Sequence, residues 1–158
     1  KNLGDEGWLE RLKTMFLGER TSQNNSRAPQ NLEDVIKMYK FKTGVLFSSA
    51  AMIGGVVHNA SVDDVERLRD FGNFLGIAYQ IGDDVYDRVG SPEEGGKPIS
   101  QDKGRVGVVE FKGVEGAMQM IRDYRDRAIE ITAHLGGDAS HLHNFVAEMG
   151  SEMKRLIQ

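Results

Sequence analysis

Cysteine is absent from this 158-residue chain, so disulfides, thiolate metal sites and cysteine nucleophiles are excluded at the outset. That absence fits a reducing compartment, and the cytoplasm is the expected location. Proline is scarce, with 3 residues against 19 glycines, in a sequence that otherwise reads as helical. No apolar run reaches the roughly 18 residues that a membrane span requires, and no secretory signal opens the chain. Positive charge is neither abundant nor concentrated. Lysine and arginine total 20 against 24 acidic residues, for a net charge of −4, and they form no stripe, which excludes a nucleic-acid surface. No segment alternates convincingly with period two, and only 106–111 has a strand-like composition. The fold class is therefore all-α. At this length one domain spanning 1–158 is expected.

Among the residues that are present, Asp83, Asp84 and Asp87 stand out, at i, i+1 and i+4 after a long apolar and small-residue run. On a helix, Asp83 and Asp87 share a face and Asp84 lies about 100° round from Asp83. Clustered carboxylates repel one another, so a cationic partner is implied. A hard divalent ion with oxygen ligands, Mg²⁺ carried on a phosphate, suits them; a solvated acidic helix end is the plainer alternative. Other metal and catalytic patterns fail. With Asp83 as position one of an EF-hand loop, Arg88 stands where the sharp turn needs glycine. His141 and His143 are two apart and no His-Glu-x-x-His occurs, which leaves no zinc site. Neither a Walker loop nor a Gly-x-Ser-x-Gly elbow is present.

Taken in order, 5–17 predicts an amphipathic helix with Trp8, Leu9, Leu12, Met15 and Phe16 on one face. The polar stretch 19–31 follows as an internal flexible loop. Asn31 caps a long helical run to about His58, interrupted at Lys42-Thr43-Gly44 and then almost wholly apolar, which predicts burial. Lys42 at its head is either paired or snorkels to the surface. Ser61, with Asp64 three residues on, starts a third helix that ends near Val89. Within it Gly72 and Gly76 let another helix backbone approach closely. Residues 90–113 form a glycine-rich loop bearing Lys97, Lys103 and Arg105, either a cover for an anionic ligand or a plain linker. Helices over 114–135 and 138–157, the second capped by Asp138 or Ser140, complete five or six.

These motifs carry a resemblance. Lys42-Thr43-Gly44 before an apolar helix resembles the lysine motif of the trans-isoprenyl diphosphate synthases. Phe74-Leu75-Gly76-Ile77-Ala78-Tyr79-Gln80-Ile81-Gly82-Asp83-Asp84-Val85-Tyr86-Asp87 resembles their second aspartate-rich motif, and Gly96-Lys97, Asp102, Gly104-Arg105 and Gly113-Val114-Glu115-Gly116-Ala117 follow in the family's order. The resemblance implies an all-α bundle of the isoprenoid synthase type, represented by its C-terminal helices around a deep cavity, usually dimeric. It implies Mg²⁺-dependent condensation of an allylic diphosphate with isopentenyl diphosphate. Asp83, with Asp84 and Asp87, would bind Mg²⁺; Lys42, Gln80 and Lys97 would meet the allylic diphosphate; Asp83 and Lys42 would be catalytic. The small faces around Gly54-Gly55 and Gly72-Gly76 would help line the cavity.

The family's earlier Asp-Asp-x-x-Asp motif and its basic residues for isopentenyl diphosphate have no counterpart in 1–41. About half the expected chain is missing, which fits a sequence that opens on Lys1 rather than methionine. A lone C-terminal half should expose the apolar faces that the other half covers, and should associate with copies of itself, a different subunit or the missing half. The alternatives are a non-catalytic partner subunit of a heteromeric synthase and a terpene cyclase of the same fold. Primer and product length are not readable from these residues.

Overall fold

The computed structural model describes residues 28–89, 106–136 and 138–157. The expected helix over 5–17, most of the 19–31 loop, and the segment bearing Lys97, Lys103 and Arg105 lie outside the described residues. Those that are described form five α-helices and one π-turn, with no strand among them. Helix α1 spans Leu32–Tyr39, the π-turn Lys40–Gly44, α2 Val45–Val57, α3 Val62–Val89, α4 Val108–Thr132 and α5 Ser140–Ile157. None of them is long and apolar enough to cross a membrane.

The starts of these helices follow from local chemistry. Asn31, in extended backbone, accepts the Asp34 N–H through Oδ1 at 2.9 Å, and Glu33 and Asp34 sit in the first turn, where the helix dipole favours negative charge. Ser61 accepts the Asp64 N–H at 3.1 Å while its hydroxyl donates to Asp64 Oδ2 at 2.8 Å. Asp138, one of the two caps expected for α5, accepts the Ser140 N–H at 2.9 Å.

Helix α3 is the axis of the bundle. Its 28 residues run about 42 Å and pack against α1, the π-turn, α2, α4 and α5. One core cluster sits near its C-terminal half, where Ile77, Ile81 and Val85 meet Val35 and Tyr39 of α1 and Val108, Ala117 and Ile121 of α4. A second sits near its middle, where Phe71 and Leu75 meet Ala128 and Val146.

On the other side of α3 the expected close approach is realised. A Cβ placed on Gly72 would lie 2.4 Å from Ser48 Cα, and one on Gly76 would lie 2.6 Å from Gly44 Cα. The two glycines therefore let α3 touch the π-turn and α2 backbone to backbone.

Two expectations are corrected. Most of 106–111, the one stretch of strand-like composition, is helical: α4 starts at Val108 inside the segment read as loop, because Val108 and Val109 are buried in the first core cluster. Gly113, at φ 67°, then breaks the helix direction in a conformation that suits glycine. The second correction concerns α2, which is not buried on most faces. Leu46, Ile53 and Val57 are 70%, 59% and 69% exposed.

Candidate functional site

The long helical run 32–57 does not break at Lys42-Thr43-Gly44 but widens into a π-turn over Lys40–Gly44. A π-turn fits one more residue into the helix than an α-turn, and such turns recur at functional sites. Gly44, at its end, packs on Gly76 of α3, and this contact fixes what lies beside it. Thr43 Oγ1 donates to Gln80 Oε1 at 2.9 Å. Gln80 is buried, and with its oxygen engaged its amide keeps N–H groups as donors. Lys42, the neighbour of Thr43, is exposed, so the ammonium is not buried. Asp83 follows Gln80 by three residues on the same helix, and Asp87 lies one turn beyond it; both are half-buried.

The three aspartates have different surroundings. Asp84 turns to α1, where Tyr39 Oη donates to its Oδ2 at 2.7 Å. The same hydroxyl accepts the Val108 N–H at 3.3 Å. Among the described residues no three carboxylate or imidazole groups converge to hold a metal ion. Asp83 and Asp87 share one helix face, and two carboxylates that leave room for phosphate and water oxygens fit the small, hard Mg²⁺. Lys97 lies outside the described residues.

Tyr39 and Thr43 were not singled out as site residues by sequence. Thr43 had a signal, its place beside Lys42 in the motif. Tyr39 had none, since its bond to Asp84 joins residues 45 apart. Asn73 is a further surprise: its buried Oδ1 has no hydrogen-bond partner, and it lies 3.2 Å from where a Gly44 Cβ would be.

The described residues also border an apolar cavity of about 1000 Å³ toward the Ser61 end of α3, away from the aspartates. Gly54, Gly55 and Gly72 line it, with Phe71 and Leu142 among its walls. Gly76 does not line it, because its open side is filled by Gly44.

At the Ser61 end, the Ser61 hydroxyl holds the Asp64 carboxyl below the usual carboxylate range, aided by Arg67 and the Gly136 N–H. Arg88 pairs with Glu110, which also accepts the Gly107 N–H at 2.7 Å, and this ties the end of α3 to the start of α4.

Known proteins resemble this chain. The polyprenyl synthetase family model matches residues 9–110. A geranylgeranyl diphosphate synthase of Saccharolobus solfataricus is 44% identical over 70 residues, covering 44% of this chain and 21% of that protein. Geranylgeranyl pyrophosphate synthase 4 of Arabidopsis thaliana is 30% identical over 156 residues, covering 93% of this chain and 40% of that protein. The chain thus spans less than half the length of these curated relatives. A crystal structure of geranylgeranyl pyrophosphate synthase superposes with a TM-score of 0.78 at 18% identity, covering 93% of this chain and 62% of that one, which shows a shared fold. With more than half its length matched by that family model, the chain belongs to the polyprenyl synthetase family.

Proposed function

We propose that this chain forms one wall of a trans-prenyltransferase site, in which an allylic diphosphate ionises and condenses with isopentenyl diphosphate to give a longer polyprenyl diphosphate. The observation that carries the reading is the Thr43–Gln80 hydrogen bond. It joins the Lys42 turn to the helix bearing Asp83 and Asp87, across a seam where two backbones touch. A lysine and two carboxylates on adjoining elements suit a diphosphate accompanied by a divalent cation.

Asp83 and Asp87 would hold Mg²⁺, which supplies positive charge to the leaving diphosphate. Lys42 would meet the same diphosphate as a point charge, and Gln80, its oxygen occupied by Thr43, would donate through its amide N–H. Preorganised donors of this kind stabilise charge that develops on the departing oxygen. Lys97 is assigned to the diphosphate on its motif alone. The exposed Leu46, Ile53 and Val57 support the expectation of a wall that needs an opposing half or subunit. A cytoplasmic location accords with the cysteine-free composition.

Calorimetric titration of the chain with inorganic pyrophosphate, with and without Mg²⁺, tests the reading. Binding should require Mg²⁺ and weaken about tenfold in Lys42→Ala, as expected for a lost charge-assisted contact, and should disappear in Asp83→Asn. Equal binding with and without Mg²⁺, or wild-type affinity in both variants, would rule it out.

A further inference from the structure

We infer that Tyr39 and Gly107 are positioning residues that clasp Asp84 and keep it out of the metal-binding set, so that Asp83 and Asp87 alone face the diphosphate. This rests on the function proposed above and assigns separate work to two neighbouring carboxylates.

Three observations converge. First, the Tyr39 hydroxyl is used in both directions: it donates to Asp84 Oδ2 at 2.7 Å and accepts the buried Val108 N–H at 3.3 Å. Tyr39 is 2% exposed, so this bond to a carboxylate is shielded from water and charge-assisted. Second, the Asp84 carboxylate occupies the space where a side chain at Gly107 would begin. A Cβ there would fall 1.9 Å from Oδ2 and 2.4 Å from Cγ. The backbone of Gly107, at φ −118° and ψ −170°, is extended and open to any residue. A side chain at this position would therefore displace the Asp84 carboxylate, while the backbone conformation itself sets no requirement.

Third, helix geometry separates the carboxylates. Asp83 and Asp87 are offset by about 40° around α3, while Asp84 is about 100° from the first and about 60° from the second. A clasp at Asp84 reaches α1 on one side and the start of α4 on the other, and so fixes the rotation of the last turns of α3 about their axis. The direction in which Asp83 and Asp87 point is set by that rotation.

The experiment extends the pyrophosphate titration to Tyr39→Phe, Asp84→Asn, Asp84→Ala, Gly107→Ala and the Tyr39→Phe/Asp84→Ala double variant, each also unfolded in urea. Asp84→Asn keeps an oxygen that accepts from Tyr39, so its Mg²⁺-dependent affinity should stay within about threefold of wild type. Tyr39→Phe should raise the Mg²⁺ concentration needed for half-saturation by about tenfold, the scale on which supporting partners act at metal sites. It should have no further effect once Asp84 is alanine. If Asp84→Asn loses binding as completely as Asp83→Asn, Asp84 is a ligand and the inference is overturned.

Failure of the underlying reading looks different. A wild-type chain that binds no pyrophosphate would refute the proposed function, and urea would still decide the clasp. Tyr39→Phe and Asp84→Ala must then be non-additive and Gly107→Ala must lower the midpoint; additive losses, or a Gly107→Ala midpoint equal to wild type, overturn it.

Discussion

Helices α2 and α3 lie backbone to backbone, yet they use their residues in opposite ways. Val45–Val57 carries no charged residue and still leaves Leu46, Ile53 and Val57 largely exposed. Val62–Val89 carries charge at both ends and supplies more of the core than any other element, including Phe71, Leu75, Ile77, Ile81 and Val85. Average hydrophobicity thus says little about burial. What decides it is how many sides of a helix meet a neighbour. Helix α3 is covered by α2 and the π-turn at its glycines and by α4 and α5 at its large apolar residues. Helix α2 meets α3 along one stripe, through Ser48, Met52 and Gly55, and its opposite stripe faces outward.

Three substitutions would break or sharpen this contrast. The largest effect is expected at the seam. Gly72→Val places side-chain atoms within the Ser48 backbone, which is not the yielding end of a flexible side chain, and should destabilise the chain by about 3 kcal/mol in urea unfolding. A smaller loss is expected where α3 begins with a side-chain cap that α2 lacks. Ser61→Ala should cost about 1 kcal/mol at neutral pH.

That second effect should depend on pH. The Ser61 hydroxyl lowers the Asp64 carboxyl in the folded state, so its contribution is present above the ordinary carboxylate range and is lost as the pH falls through it. The gap between Ser61→Ala and wild type, read as a difference in urea midpoint, should narrow on acidification below about pH 4.

The smallest effect has the opposite sign. Nothing lies within 4 Å of a Cβ placed on Gly54, so Gly54→Ala should raise the melting temperature, by the equivalent of about 0.5–1 kcal/mol, through helix propensity alone. A loss of stability there would mean that the outward stripe of α2 is covered after all. Gly55, one residue on, makes the internal control, since its Cβ would meet Leu68 Cδ1 at 2.6 Å.

Much of the frame was legible because its causes are local. The caps at Asn31 and Ser61, the glycine spacing of α3 and the helical runs between them depend on residues a few positions apart. What escaped reading depends on residues far apart in sequence. Within the strand-like 106–111, helix begins at Val108 because Val108 and Val109 pack on residues contributed by α1 and α3, which no window of a few residues reveals. Burial predicted for α2 assumed neighbours on every side.

In the candidate site, Lys42 and the aspartate helix were readable as two motifs in order, while the partners of Asp84 were not. Tyr39 and Gly107 approach Asp84 across 45 and 23 positions respectively, separations that no local pattern spans.

The π-turn at Lys40–Gly44 bears on how this chain tolerates insertion and deletion. A π-turn is what a helix makes of one surplus residue: the loop of backbone swells locally, and the helices on either side keep their direction and phase. Shortening the segment by one residue would return it to ordinary α-helix and leave Asn31 and the apolar stripe of α2 where they are. The bond from Thr43 to Gln80 is the contact expected to suffer, since Thr43 lies within the swelling. A single lost codon at this place is therefore expected to leave the architecture standing and to cost the Thr43–Gln80 bond.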